Sequence, residues 1–600
     1  MNIAFNFDYQ HHNGLMSRLL NAIKKRAATT VYLQQDHNRY TLEASGDQET
    51  LEALAKLVSA MVPLSIFLKE PLLKEIESIE AKDQFLEESS RYYEIPYCPT
   101  CQEGVIDQTL TQFDQCEVCG CSDPKVSYSE LTELFGSDDF YKNIDKKAQE
   151  LIDQGVITLR TSNGERTLSI NEKVQTSSYG ILSCNIEALP DAFVLTQSEL
   201  QTLTLVEKPV VRLKPKLKLR SSHELDHLRY KLFIADDLIT LALTQALKKR
   251  GVDLLFSSHP PVLRCVTALE HPYIVATGRD LLPLTFKESL AVQAQCEAYG
   301  FYARGDKEEL KIDHAQAQRE PFNAITYVPY GEGQQQKGTL FFEPAHAAFA
   351  SVVLENGLFE QSLCGIHLSC DTPSQLFSYS PKIGYTTMVQ FQRHNKQPHT
   401  ILQSISDLEE SAQRLIVNYK TQHPSLYQAI QKLHFKNLEG AETFTELFGL
   451  AAAILGFYDG DDIEEAAEVL EANAIEFGGK SGPRIDYKVK KVDGNYCLDT
   501  LTTLRSAMSF KLAGVDDVLL SFGFLDSLAD FIALQTQNAD ANIGISGVTL
   551  SGTLFENRQL LMRTLNSVTP NYPIYTNRQL GMDKENIVLG ALLLGNKAEV

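Results

Sequence analysis

No apolar run in this chain is long enough to cross a bilayer. The longest, near 57–68 and 447–457, fall well short of the ~20 residues that a spanning helix needs. A secretory leader is not legible at the start either, because Asn2, Asn6 and Asp8 interrupt it before an apolar core can form. Basic charge is scarce: 55 Lys and Arg face 77 Asp and Glu, a formal net charge of −22. Nucleic-acid backbones are gripped by clustered Lys and Arg, so this balance argues against a broad nucleic-acid-binding surface. These absences lead us to expect a soluble, cytoplasmic protein with no membrane insertion and no nucleic-acid partner. The one basic stretch, VVRLKPKLKLR at 210–220, alternates like a strand with a solvated charged face, an anion-binding face being the alternative.

At 600 residues, 43% hydrophobic and 22% charged, the composition is ordinary for a globular protein, and the chain is too long for one core. The most specific signal is YCPTCQEGVIDQTLTQFDQCEVCGCSD at 97–123, which holds five of the eleven cysteines. Two Cys-x-x-Cys turns, Cys98/Cys101 and Cys116/Cys119, offer four soft thiolates to one tetrahedral metal. The 14 residues between the turns are one short of the usual spacing. We read a structural zinc ribbon with Cys121 as a spare, against a redox dithiol or chance clustering. Such a cluster needs reduced sulfur, which agrees with a reducing compartment. No histidine or carboxylate completes an open site beside it, so the metal is expected to hold a fold.

Apolar periodicity predicts a helix over 14–25 (Leu15, Leu19, Leu20, Ile23), strands over 30–33 and 40–43, and a second helix capped by Asp47. Strand, helix, strand, strand, helix, with GDQETLEAL at 46–54, resembles the acylphosphatase-like domain that opens the HypF family of [NiFe]-hydrogenase maturation carbamoyltransferases. In place of that family's phosphate loop stands YQHHNGL at 9–15, with Leu15 at the arginine's position and Gln35 at the asparagine's. Hydrolysis of acyl phosphates is therefore not expected, and His11 and His12 read as an incidental exposed pair, anion binding by the protonated rings being the alternative.

Later segments resemble the same family in the same order. The ribbon is one motif where the family carries two. VITLRTSNGERTLSI at 156–170, LTQSELQTLTLVEKPVVRLKPK at 195–216 and YKLFIADDLITLALTQAL at 230–247 are similar to its YrdC-like domain, with Arg160 at a lysine's place. The family's basic run is replaced by QTSSYGILS at 175–183, and its nucleotide loop is missing between Leu255 and His259. HPPVLRCVTALEHPYIVATGRDLLPLTF at 259–286 resembles a strand pair leading into the last domain. The C-terminal half then reads as a hairpin at 290–312, helices at 342–357 and 444–457, and a strand, turn and helix at 533–565.

LSGTLFENR at 550–558 is similar to the family's LSGGVFQNR, part of an actin-like fold of the threonylcarbamoyltransferase type. A Ser-Gly turn entering a helix N-terminus suits a nucleotide phosphate or ribose. The resemblance thus implies Ser551, Gly552 and Asn557 as nucleotide ligands. It implies Asp583, in MDKENIVLG at 582–590, as a ligand to a second metal. The family's HHHAH appears as PAHAA at 344–348, leaving His346, and Ser369 stands where an aspartate is expected, with Asp371 nearby.

The expected fold class is multidomain α/β and α+β. Its parts are an acylphosphatase-like domain (1–85), a zinc ribbon (90–135), a shortened YrdC-like domain (138–286) and an actin-like, ASKHA-type domain (287–600). The expected function is that of a shortened HypF-like accessory protein with eroded catalytic sites. Its partner would be a hydrogenase large subunit or a hydrogenase-maturation protein. The alternative is an active carbamoyltransferase that uses carbamoyl phosphate and ATP to carbamoylate a partner's C-terminal cysteine for cyanide-ligand synthesis. Cys370 and Cys497 would then be candidate acyl carriers, buried thiols being the other reading. The acidic stretch 459–471 reads as a solvated face or a partner-docking face.

Overall fold

The computed structural model describes residues 1–11, 14–88, 95–110, 116, 118, 139–161, 164–171, 180–221, 224–225, 227–261, 263–276, 284–285, 293–296, 301–306, 309–314, 324–328, 338–370, 372–391, 397–436 and 443–598. Cys119, Cys121, His12 and Asp371, and most of the 175–183 segment, lie outside them. The chain divides into two compact units: Met1–Tyr273 with Thr277–Phe286, and Ile274–Ala276 with Lys287–Val600.

The first unit opens with a four-stranded antiparallel sheet in the order Val31–Asp36, Arg39–Ser45, Asn2–Asp8, Leu72–Glu75. Helix Leu15–Arg26 buries Leu15, Leu19, Leu20 and Ile23, the predicted stripe, and carries Lys24, Lys25 and Arg26 in its last turn, where the helix dipole favours cations. Asp47 caps helix Gln48–Met61 by accepting from the Thr50 N–H at 2.9 Å. His11 is not the exposed residue its sequence suggested. It is fully buried, with its ring 4.8 Å from that of Phe67.

A nine-stranded mixed sheet follows, built on helices Phe140–Gln154 and Leu238–Lys248. The basic stretch falls here and departs from expectation. Strand Val210–Pro215 is interior, paired with Tyr230–Ile234 on one edge and Arg264–Ala268 on the other. Lys214, opposite Val194 of the short strand Phe193–Val194, is 4% exposed instead of solvated. A short helix, Leu217–Ser221, ends the alternation. The 259–286 strand pair proves to be two further strands of this sheet, Arg264–Ala268 and His271–Ala276.

The second unit holds five sheet strands between Gln293 and Phe341 and a seven-stranded sheet. The hairpin expected at 290–312 carries a third antiparallel strand, Glu309–His314. In the seven-stranded sheet, Leu363–His367 runs antiparallel to Gln375–Ser380 and parallel to Gly547–Ser551. Helix Phe444–Leu455 buries all but one of its residues, as the apolar run from Leu447 onward predicts. The start of the 533–565 segment is not a strand but the end of a 27-residue helix, Asp517–Ile543, which a left-handed Gly544 terminates. The strand Gly547–Ser551 and the helix Arg558–Val568 come after it.

Candidate functional site

The cysteine cluster is built on the N-terminus of helix Pro99–Ile106, with Cys98 as its N-cap and Cys101 in its first turn. Cys98 Sγ lies 3.7 Å from Cys101 Sγ and 3.8 Å from Cys116 Sγ. A disulfide would require about 2.0 Å. Four sulfurs placed ~2.3 Å from a zinc ion define a tetrahedron with an edge of about 3.8 Å. The three described thiols therefore stand at the separations of three corners, and all their sulfurs lie within 4.8 Å of one another. They can hold a metal such as zinc. Cys98 and Cys101 are buried, so the ion would be enclosed on the protein side.

The second candidate group forms where Leu363–His367 and Gly547–Ser551 pair in parallel with His367 opposite Ser551. Residues opposite in register project to the same face. His367 Nδ1 accordingly sits 3.0 Å from Ser551 Oγ, and its Nε2 is 2.8 Å from Thr372 Oγ1. The ring is fully buried, and burial lowers its pKa while the nearby Asp583 works the other way.

Just beyond the strand ends, Ser369 Oγ donates to Asp583 Oδ2 at 2.5 Å. The same oxygen accepts the Thr553 N–H at 3.2 Å, and Oδ1 accepts that of Lys584 at 2.9 Å. Asp583 is 1% exposed. Asn557 caps helix Arg558–Val568 by accepting from the Gln559 and Leu560 N–H groups, and its Nδ2 donates to Glu471 Oε2 at 2.8 Å. Gly552 has φ +104°, and a Cβ there would lie 2.0 Å from the carbonyl oxygen of Leu368. That approach is closed by the chain itself, through Leu368 N–H to Ser551 O at 2.9 Å and Leu554 N–H to Leu368 O at 3.1 Å.

His346 stands apart from this group. Its ring stacks on Tyr385 at 4.1 Å and meets the edge of Phe377 at 4.8 Å. Its buried Nε2 has no hydrogen-bond partner among the described residues. Burial depresses its pKa, offset in part by Glu343.

In the first unit Arg160 is exposed. Arg166, in contrast, is buried, and nothing in the sequence singled it out. Its guanidinium forks onto Asp236 at 2.7 and 3.0 Å, and its Nε donates to the carbonyl of His259 at 3.1 Å. Beside it, Asp237 caps helix Leu238–Lys248, and burial together with the Asp236 charge raises its pKa. Strand Leu254–Ser257 pairs directly with Gly164–Ser169, and the His259 carbonyl that accepts from this arginine follows it. An isolated arginine in a strand carries no spacing signal, which is why its role was not legible.

Residues 382–591 match the family model described as the second subdomain of the carbamoyltransferase Kae1-like domain. Protein HydE of Wolinella succinogenes is 24% identical over 583 residues, covering 95% of this chain and 97% of that protein. The fold matches that of T. kodakarensis HypF with a TM-score of 0.66 and 14% identity, over 99% of each chain. It also matches a full-length HypF crystallised in a phosphate- and nucleotide-bound form, with a TM-score of 0.60 and 14% identity, over 100% of this chain and 98% of that one. The chain is HypF-like.

That likeness fixes the fold class of this HypF-like protein as multidomain α/β with a Kae1-like C-terminal part. No described helix is long and apolar enough to cross a membrane.

Proposed function

We propose that this HypF-like protein is a [NiFe]-hydrogenase maturation factor that acts by binding a partner, its inherited catalytic centres having become structural. One observation carries the reading: the residues left to hold nucleotide and metal are engaged by the protein itself. Asp583 has a hydroxyl and two backbone N–H groups on its carboxylate. Ser551 is held by His367, and Asn557 by its helix and Glu471. A metal or phosphate at this point would have to displace buried hydrogen bonds, each worth about 1 kcal/mol and costing more when left unmade. ATP and a second metal therefore do not fit these side chains as they stand, and no catalytic step is derived through either. The Cys98 cluster, in contrast, fits zinc, which would hold the ribbon together and supply no chemistry.

The reading keeps four segments: acylphosphatase-like 1–85, ribbon 90–135 with Cys119 as fourth ligand, shortened YrdC-like 138–286 and actin-like 287–600. The fork of Arg166 on Asp236 supports it for the third, since the arginine's donors face a carboxylate and a carbonyl instead of a phosphate. The partner would be a hydrogenase large subunit or a maturation protein, met in the cytoplasm.

The test is calorimetry with ATP and magnesium, and carbamoyl-phosphate-dependent pyrophosphate exchange, on metal-assayed protein and on Ser551→Ala. One zinc per chain with neither binding nor exchange is the expected outcome. Exchange by the wild type that is lost in Ser551→Ala would overturn the reading in favour of a carbamoyltransferase acting on a partner's C-terminal cysteine.

A further inference from the structure

The cysteine cluster adjoins a buried junction that the proposed function leaves unexplained. Three parts of the first unit meet there: the domain of the four-stranded sheet, the cysteine-bearing segment and the domain of the nine-stranded sheet. The residue before Cys98 is Tyr97, which is buried and whose hydroxyl donates to the Ala235 carbonyl at 2.7 Å, just past strand Tyr230–Ile234. The Lys208 ammonium stands 4.8 Å over its ring and donates to the Thr204 carbonyl at 3.1 Å. Next in the chain, Glu207 reaches the other way. Its carboxylate accepts from the Ser65 hydroxyl and, at 3.1 Å, from the Ile66 N–H. The Val206 N–H donates to the Leu64 carbonyl at 2.9 Å. Residues 64–66 follow helix Gln48–Met61, so the loop 204–208 is where the second of these domains grips the first.

That grip is costly to hold. Glu207 and Lys208 are each 5% exposed, and burying charge is unfavourable unless partners offset it. Lys208 also takes φ +49°, a left-handed conformation that a lysine rarely adopts. The Tyr97 ring and the Ser65 and Ile66 donors are among the groups that offset these costs. Tyr97 in turn is placed by Cys98. Helix Pro99–Ile106 is eight residues long with no side-chain hydrogen bond at its N-cap, and an isolated helix of that length is marginal in water. Thiols converging on one ion would fix its first turn, and the helix packs on both Gln48–Met61 and Leu238–Lys248.

We propose that the cysteine cluster is a metal-dependent latch: Cys98 held by the ion keeps Tyr97 against Lys208, and the 204–208 loop then keeps the first domain docked. Loss of the ion frees Tyr97 and loosens the contact at 64–66, while the four-stranded sheet stays folded. Docking of the first domain thereby becomes conditional on a loaded metal site. The inference rests on the zinc reading of the Cys98 cluster and is independent of whether nucleotide binds.

The experiment is hydrogen–deuterium exchange, read by mass spectrometry on the full chain when zinc-loaded, chelated and reloaded. Chelation is expected to speed exchange at least ~10-fold in peptides covering 62–68 and 204–208, and added zinc to reverse it. Strands Asn2–Asp8 and Arg39–Ser45 should keep their protection. Glu207→Ala removes the acceptor of both Ser65 and Ile66. It should show the fast exchange with zinc still bound, and chelation should add nothing further at 62–68. Unchanged exchange at 62–68 after chelation of a protein that had held zinc would overturn this proposal alone. So would loss of protection in the two strands together with the junction, since the metal would then hold a fold and not a docking contact. A chain that never binds zinc would overturn the zinc reading with it.

Discussion

Ser369 and Asp583, 214 residues apart in sequence, share a 2.5 Å hydrogen bond at the end of the seven-stranded sheet. The hydroxyl supplies the buried carboxylate with a donor. Ser369 is itself fixed from both sides: its N–H donates to Ser374 Oγ at 2.9 Å, and its Oγ accepts the Thr372 N–H at 2.9 Å.

Replacing that hydroxyl by a second carboxylate should invert the behaviour of the site. Ser369→Asp puts two like charges in contact in a buried position. We expect a fall in melting temperature that millimolar Mg²⁺ or Mn²⁺ restores, while the wild type is insensitive to either ion. Thermal scans with and without the ions decide it. An ion-independent loss would mean that the carboxylates do not converge.

Gly552→Ala should destabilise the protein by at least ~2 kcal/mol, since φ +104° and a Cβ 2.0 Å from the Leu368 carbonyl are both incompatible with a side chain. Ser551→Ala should cost about 1–2 kcal/mol by leaving a buried imidazole nitrogen of His367 without its hydroxyl. Urea titrations of the two variants measure both effects. Equal and negligible losses would return these residues to a ligand-binding role.

Removing metal should unfold the ribbon first. Cys98→Ser deletes a buried thiolate at the helix N-cap and is expected to lose bound zinc outright. Chelation of the wild type should reproduce this, read as zinc release in a colorimetric assay together with protease cleavage confined to the region around 95–140. A wild type that binds no zinc would reject the ribbon.

Lys208 gives the stability a pH signature. It is 5% exposed and stands over the Tyr97 ring at 4.8 Å, and burial lowers its pKa to about 8. The unfolded value is about 10.4, so between roughly pH 8 and 10.4 the unfolded state binds more protons. The penalty for burying the ammonium is fully present below about pH 8 and is relieved as pH rises towards the unfolded value. Stability of wild type relative to Lys208→Met should thus increase across that interval, by denaturant melts at fixed pH. Glu207 has the opposite sense: burial raises its pKa, so its contribution falls as pH rises above the ordinary carboxylate range.

Much was legible in the sequence because it is local. The apolar stripe of Leu15, Leu19, Leu20 and Ile23, the Asp47 cap and the buried run of Phe444–Leu455 depend on residues a few positions apart, and the periods of helix and strand expose them directly. The Cys98/Cys101 turn is local in the same way. The spacing of the cysteines therefore determined the candidate metal centre before any packing was considered.

What the tertiary structure alone decided depends on partners distant in the chain. Lys214 is buried in a sheet whose neighbouring strands come from 193–194, 230–234 and 264–268. Arg166 acquires its role from Asp236 and His259. Ser551 meets His367 only through the parallel register of two strands 184 residues apart. Burial and hydrogen-bond satisfaction are properties of the packed chain, and a sequence pattern that names a candidate ligand cannot reveal which side chains it will bond to.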